Sequence, residues 1–436
     1  MSIAKRVVSR REFLRLGGAG VAGALLLGSV GCGGDDTSGE NAIGWQAIPA
    51  YSLQAPDENR VEYIQNAISS WEESSGYAID PLVTSSDVTE AMALLLEQAS
   101  QNRAPDIAMV DSYSFPRFYD FVQPIGEYLG DSPLGDYFPF ARAVMTGEDG
   151  EVKGLQFTTD VRVMYYRTDL ISTPPTSWAE LLRTGQDLLS EELTPYLFPA
   201  GRDEATVTTS LFPYFWAQGG ELTDADGTPV FGEGENREAM LNSLGFIQEC
   251  VESGITPRRV TDYAKETDLN GDVASGRTAM FLGGNWQVSL LKEIIGAEQF
   301  VSQWEVAPIP SMEGGANHAT TAGGWMWGVF AEDEEKQRAG VHFLKSAFVS
   351  DLGMAGWCSI GGYLPPRRAV FEGPDYRGNE YTDTFREHLN RYARNRPAAE
   401  TYQDISTALQ VAVGQVVSRD ASPEQAIETA VRSVVG

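Results

Sequence analysis

Val61, Ile64, Ala67, Ile68 and Trp71 recur at the spacing of one helix face, so Asp57–Ser75 predicts an amphipathic helix closed by Gly76. Before it, Ile43, Trp45, Ala47 and Ile48 come close to alternation and predict a first strand within Asn41–Leu53; Tyr77–Thr84 predicts a second. Met92, Leu95, Leu96 and Ala99 share one face of a helix over Glu90–Ser100. Pro105 then ends a loop, and the unbroken apolar run Ile107–Val110 reads as a strand covered on both sides. Strand, helix, strand, helix, strand is the pattern of a doubly wound α/β sheet. Ligands meet such sheets beyond the carboxyl ends of the strands, which puts Asp111, Ser112 and Tyr113 at a recognition position. The alternative for these residues is a cap on a helix starting at Ser114.

Farther along, Glu151–Arg167 is a long β run with a polar interruption at Thr158-Thr159-Asp160, where a strand can cross from one lobe to another. Ser177 is placed to cap a helix over Ala179–Leu189, and further helices are predicted at Leu211–Gln218, Arg237–Ser253 and Glu334–Phe348. Thr278–Leu282 predicts a short buried strand that runs into Gly283-Gly284-Asn285-Trp286, followed by a helix over Gln287–Ile295. Trp304–Pro310 is extended and stiffened by proline, suited to a return crossing. Gly361–Arg368 is a loop, and Ser406–Val435 is a pair of helices, the second capped by Ser422.

The stretch Thr321–Phe330 places Gly323 and Gly324 before Trp325 and Trp327, which share a face at a period of two. Aromatic faces cover apolar C–H surface, and bare glycine backbone lets a ligand come close; a sugar ring needs both. The alternative is a buried strand with two core tryptophans.

Composition narrows the picture. The chain has 436 residues, too many for one ordinary core, and 42% of them are hydrophobic. The net charge is -29, although residues 1–31 carry five basic side chains against one acidic one, so the remainder is more acidic still. Such a surface repels nucleic acid and anionic membranes. Arg10 and Arg11 before the short, glycine-rich apolar run Leu16–Gly31 read as a twin-arginine-like signal peptide, residues 1–31, for export. Leu27–Cys32 resembles a bacterial lipobox with Ser29 in place of the usual leucine, making Cys32 the candidate lipidation site. Residues 32–40 are small and polar, a tether. Cys250 and Cys358 are the other cysteines, too few for a disulfide framework though free to pair in an oxidising exterior. His318, His342 and His388 are scattered, and no HExxH, CxxC, P-loop or nucleophile elbow is present, so no metal, cofactor or catalytic group is expected. Asp224-x-Asp226-Gly and Asp268-x-Asn270-x-Asp272 lack the glycine position of a calcium loop and read as turns.

In their order along the chain, Ala104–Asp111, Gly154–Leu170, Pro174–Leu181, Ser275–Trp286, Val306–Pro310, Gly323–Trp325 and Gly362–Arg367 resemble the maltose-binding-like family, the extracellular solute-binding lipoproteins of carbohydrate ABC importers. The resemblance covers nearly all of the chain after the tether. It implies an α/β two-lobed periplasmic-binding-protein fold of type II, each lobe a mixed sheet flanked by helices, joined by hinge crossings. The lobes would comprise residues 41–157 with 310–358, and 158–309 with 359–436. It further implies a monomeric receptor outside the cytoplasm, anchored to the membrane by a lipid on Cys32, that passes a mono- or oligosaccharide to a permease. Asp111 and Asp160 would accept hydrogen bonds from sugar hydroxyls, Trp286 and Trp325 would stack on rings, and Arg367 or Tyr363 would close the far side. Tyr51, Tyr113, Gly324 and Trp327 complete the expected site. Asn285 stands where many relatives have proline, and Trp327 where an aliphatic is commoner. A polyol or glycerol-phosphate-type solute is the alternative ligand, and an extracytoplasmic glycoside hydrolase, with Asp111 and Asp160 as its carboxyl pair, is the rival class.

Overall fold

The computed structural model describes residues 41–130, 134–147, 149–314 and 317–436. The expected signal segment, Cys32 and the tether lie outside the described residues. Nine strands are described: β1 (Ala42–Gln46), β2 (Ala78–Leu82), β3 (Ile107–Asp111), β4 (Gly154–Arg167), β5 (Thr194–Leu197), β6 (Thr278–Gly284), β7 (Trp304–Ala307), β8 (Thr320–Val329) and β9 (Ala393–Arg394).

β1 runs parallel to both β2 and β3, with the helices Glu58–Ser75 and Val88–Ser100 as the crossovers. The periodicity that predicts the first helix buries Ile64, Ile68 and Trp71. Asp57 accepts a bond from the Asn59 amide at its start, and Gly76 closes it at φ 76°. Asp87 caps the second helix in the same way. β1 is shorter than the predicted strand because Pro49, which has no N–H to give a sheet, opens a 3₁₀ turn through Tyr51.

β4 and β8 join two β/α units. β8 lies antiparallel to β3 on one side and to the first part of β4 on the other, matching Gly154–Val161 with Gly328–Ala322. From Arg162 onward β4 turns to new partners: β6 takes Arg162–Tyr166, and β7 takes Met164–Arg167. The strand order is β2-β1-β3-β8-β4-β6-β5. The change of partners at Val161 and Arg162 falls one residue beyond the polar interruption seen in the sequence. A register shift between Gln156 and Thr158 bends the strand just before it.

Several elements differ from their predicted bounds. The helix that begins at Glu334 is α-helical to Leu344, passes through a π turn at Lys345–Val349, and stops at Ser350. The Ser350 hydroxyl accepts from the Gly353 amide and starts a separate helix, Asp351–Gly361, in a stretch for which the sequence reading offered no element. This helix runs unbroken through position 358/359, the expected lobe boundary. The carboxyl-terminal helices are Tyr402–Ser418 and Pro423–Val435, the latter opened by a capping box between Ser422 and Gln425. Among the described residues no helix is long and apolar enough to cross a membrane.

Candidate functional site

The carboxyl end of β3, the middle of β8 and the crossover of β4 converge. Asp111 is matched with Trp325 in the β3–β8 ladder, while Thr158, Thr159 and Asp160 are matched with Trp325, Gly324 and Gly323 across β8 and β4. Gly324 holds φ 124°, and a Cβ there would lie 2.1 Å from the carbonyl oxygen of Thr158, so only glycine fits. Its carbonyl receives the Ser112 amide at 3.0 Å. The Gly323 carbonyl receives the buried Gln156 amide group at 2.9 Å and the Thr159 hydroxyl at 3.0 Å. These bonds hold the backbone still at the point where the side chains of both β/α units meet.

One side of the site is aromatic. Tyr51, brought in by the proline turn after β1, stacks on Tyr363 with ring centroids 4.8 Å apart and packs against Trp325 at 5.5 Å and Trp357 at 5.8 Å. Arg60 lies over the outer face of Tyr363 at 5.1 Å. Trp325 is only partly buried. Burial lifts the Tyr51 hydroxyl well above its ordinary range, so it stays protonated and able to donate.

The other side is charged. Arg396 is 8% exposed, with its guanidinium nitrogens 3.3 Å from Asp111 Oδ1 and 3.3 Å from Glu204 Oε1. The guanidinium lies over the ring of Tyr113, 4.2 Å from its centroid. Glu204 also accepts from the hydroxyls of Tyr402 and, at 2.6 Å, Ser406. Arg162 pairs with Asp160, reaches Glu266 at 3.6 Å and lies over Trp286 at 4.9 Å. Glu266 accepts the Thr209 hydroxyl at 2.7 Å. Burial pushes the Asp111 carboxyl up to about 6, with Arg396 and the Tyr113 amide pulling the other way.

Of the residues nominated from the sequence, Tyr51, Trp325 and Tyr363 meet on the aromatic side, Asp111, Tyr113, Asp160 and Trp286 on the charged side, and Gly324 lies between them. Two do not join them. Trp327 is wholly buried one layer behind, stacked on Phe157 at 4.8 Å and packed on Trp45 and Phe348. It shares Trp325's strand, but β8 carries it from the sheet end into the core. Arg367 is engaged elsewhere: Asp136 takes it at 3.1 Å, Asp351 at 2.7 Å, and it donates to the Val349 carbonyl at 3.1 Å. Its fork is filled by protein partners.

The sequence reading missed Arg396, Glu204, Arg162, Glu266 and Tyr402. Arg162 carried one signal, a charge in the apolar stretch of β4. Arg396 stood in Arg394-Asn395-Arg396-Pro397 without periodicity, and only the fold brings it back to Asp111, 285 positions earlier. Asn285 is structural: its side-chain oxygen accepts the Val161 amide at 3.0 Å and its own amide donates to the Val161 carbonyl at 3.1 Å, pinning the crossover. The two calcium-like segments are turns and caps, with Asp224 accepting the amides of Asp226 and Thr228 and Asp268 that of Lys265. Among the described residues no group of three His, Cys, Asp or Glu is arranged to hold a metal ion.

Two β/α units that share long crossing strands, with a charged and an aromatic wall meeting at the crossing, define a two-lobed binding protein of the type II architecture. The chain belongs to the bacterial extracellular solute-binding protein family, whose sequence profile matches residues 66–383. A probable ABC transporter-binding protein of Deinococcus radiodurans is 25% identical over 82% of this chain and 86% of its own length. A maltooligosaccharide ABC transporter solute-binding lipoprotein of Streptococcus pneumoniae is 23% identical over 72% of this chain and 70% of its own. The maltose-bound MalE3 of T. maritima has the same fold, with a TM-score of 0.73 at 21% identity, covering 90% of this chain and 99% of that one.

Proposed function

We propose that this protein is an extracytoplasmic carbohydrate receptor that captures a mono- or oligosaccharide in the cleft and delivers it to the permease of an ABC transporter. The observation that carries the reading is the meeting, across Gly323 and Gly324, of a partly open aromatic wall with a row of partly buried carboxylates and buried guanidinium groups. Sugar rings present apolar C–H faces and a rim of hydroxyls, and such a cleft answers both. Trp325, Tyr51 and Tyr363 offer ring faces; Asp111 and Asp160 accept from hydroxyls, Arg396 and Arg162 donate to them, and Trp286 backs the charged side. The names of relatives in S. pneumoniae and T. maritima, which carry maltooligosaccharide and maltose, support the same class.

Capture follows from contributions on both sides of the β4 crossover. A ligand touching both lobes lowers the free energy of the closed arrangement and leaves the open one unaided, so it shifts the equilibrium between them. The hinge is assigned to the crossings at Asp160–Arg162 and near Pro310. Export by the twin-arginine-like signal and a lipid on Cys32 would hold the receptor at the outer face of the membrane beside its permease. The reading is of a binding protein without catalysis: Asp111 and Asp160, the carboxyls a glycosidase would need, are each engaged by a guanidinium, Arg396 and Arg162.

A thermal-shift screen of the purified protein against sugars, polyols and glycerol phosphate tests this. A ligand that binds the native state raises the melting temperature by mass action. The expected result is a shift with a sugar and no consumption of it. A shift confined to glycerol phosphate or a polyol overturns the carbohydrate assignment, and turnover of the sugar overturns the receptor.

A further inference from the structure

Arg396 enters the cleft from a segment anchored on three sides. Ala393 and Arg394 pair with Thr320 and Thr321 of β8, Asn395 donates to the Phe140 carbonyl at 2.7 Å, and Arg394 reaches Glu221 at 2.6 Å. The backbone is therefore fixed and the guanidinium is presented, not left to search. Its 3.3 Å contacts to Asp111 and Glu204 are longer than the roughly 2.7–2.9 Å of a closed charge-assisted bond, so it is shared between the two carboxylates without closing on either. A Cβ at Gly323 would sit 3.2 Å from the Arg396 guanidinium and 3.1 Å from Asp160 Oδ1, so the glycine keeps open the lane between the two ion-pair groups.

Both guanidinium groups of the charged wall lie between carboxylates. Arg396 serves Asp111 and Glu204; Arg162 serves Asp160 and Glu266. Each is flanked by two carboxylates, although Arg162 Nε, 3.6 Å from Glu266, closes no hydrogen bond, and the four carboxylates outnumber the two guanidinium groups. An anionic ligand at Arg396 must displace Asp111 or Glu204, leaving a partly buried carboxylate without its cation and facing the ligand's own negative charge, which is unfavourable. A hydroxyl is donor and acceptor at once: it can insert between carboxylate and guanidinium, give to one, take from the other, and leave every group satisfied.

We propose, on the basis of the carbohydrate-receptor reading, that Arg396 is a specificity-determining residue: held between Asp111 and Glu204, it admits uncharged sugar hydroxyls and excludes sugars bearing a carboxylate or phosphate.

Titration calorimetry with glucose, galactose, maltose and maltotriose, each beside its carboxylate-bearing or 6-phosphorylated form, tests this on the wild type, Glu204→Gln and Arg396→Gln, with circular dichroism to verify folding. The wild type should bind at least one neutral sugar and bind its charged form at least about 100-fold more weakly, the scale set by taking the cation from a partly buried carboxylate. Glu204→Gln releases one edge of the guanidinium, so it should raise affinity for the charged form about 10-fold or more while lowering that for the neutral form. Arg396→Gln should weaken the neutral sugar about 10-fold or more without narrowing the preference. Comparable wild-type binding of charged and neutral forms, an unchanged preference in Glu204→Gln, or a narrowed one in Arg396→Gln overturns the role of Arg396 and leaves the receptor reading standing. Absence of binding to all four neutral sugars overturns both.

Discussion

Two glycine–tryptophan stations face the cleft, and they are built for different work. On β8, Gly323-Gly324-Trp325 lies mid-strand between β3 and β4, and its tryptophan joins Tyr51 in a neutral aromatic wall. At the end of β6, Gly283-Gly284-Asn285-Trp286 leads into a helix, and its tryptophan carries the Arg162 guanidinium on its face. A Cβ on Gly324 would strike backbone at 2.1 Å, whereas one on Gly284 would strike the ring of Trp286 at 2.2 Å. The first glycine is demanded by main chain that has nowhere to go; the second by a side chain folded back over its own strand. The same residue types thus make a rigid apolar platform in one place and a support for charge in the other.

The largest expected effect separates Trp327 from this pair. Trp327→Ala should cost about 3–5 kcal/mol of stability in urea denaturation, as for a large aromatic removed from a core; a loss below about 1 kcal/mol would place it outside the core. Gly324→Ala should follow at about 3 kcal/mol, combining a left-handed backbone with a main-chain clash. Gly284→Ala should cost only about 1 kcal/mol, because the indole can move aside. Equal losses would erase the distinction between the stations.

Once a ligand is identified, Trp325→Ala and Trp286→Ala should each weaken its binding by at least about 2 kcal/mol, as for buried aromatic anchors. Unchanged calorimetric affinity in either variant removes that residue from the site.

Asp111 provides a pH test specific to the charged wall. Its carboxyl must be ionised to accept two hydroxyl donors, so affinity should fall as pH drops below about 6, by up to about 1.4 kcal/mol per unit. Stability carries the opposite sign. A carboxyl raised from 3.8 to about 6 on folding contributes stability that is complete below pH 3.8 and is lost as pH rises through about 6. Asp111→Asn should flatten both profiles; a variant that keeps the wild-type slopes shows that another group titrates.

The smallest effect expected is none. Cys250 and Cys358 are both buried and unpaired, so reductant should leave the melting temperature unchanged; a fall would mean that they join.

Much of the fold is local and was legible as such. The helix at Glu58–Ser75, the buried strand at Ile107–Asp111 and the capped helix at Pro423–Val435 follow from apolar period, caps and proline placement, which act within a turn or two of chain. Residues at strand ends beside glycine were legible too, and Asp111, Asp160, Trp286 and Trp325 do converge. The sequence by itself determined which segments are helix and strand, which faces are apolar, and that glycine and tryptophan stand together twice. Only the tertiary structure decided that Trp325 opens to the cleft while Trp327, two residues on, is sealed behind Phe157. It also decided that Arg367 is consumed by Asp136 and Asp351 while Arg396 reaches Asp111. The physical reason is common to both. Burial and ion pairing are settled by what the rest of the chain brings within a few ångströms, and a residue's own neighbours in sequence carry no record of a partner hundreds of positions away.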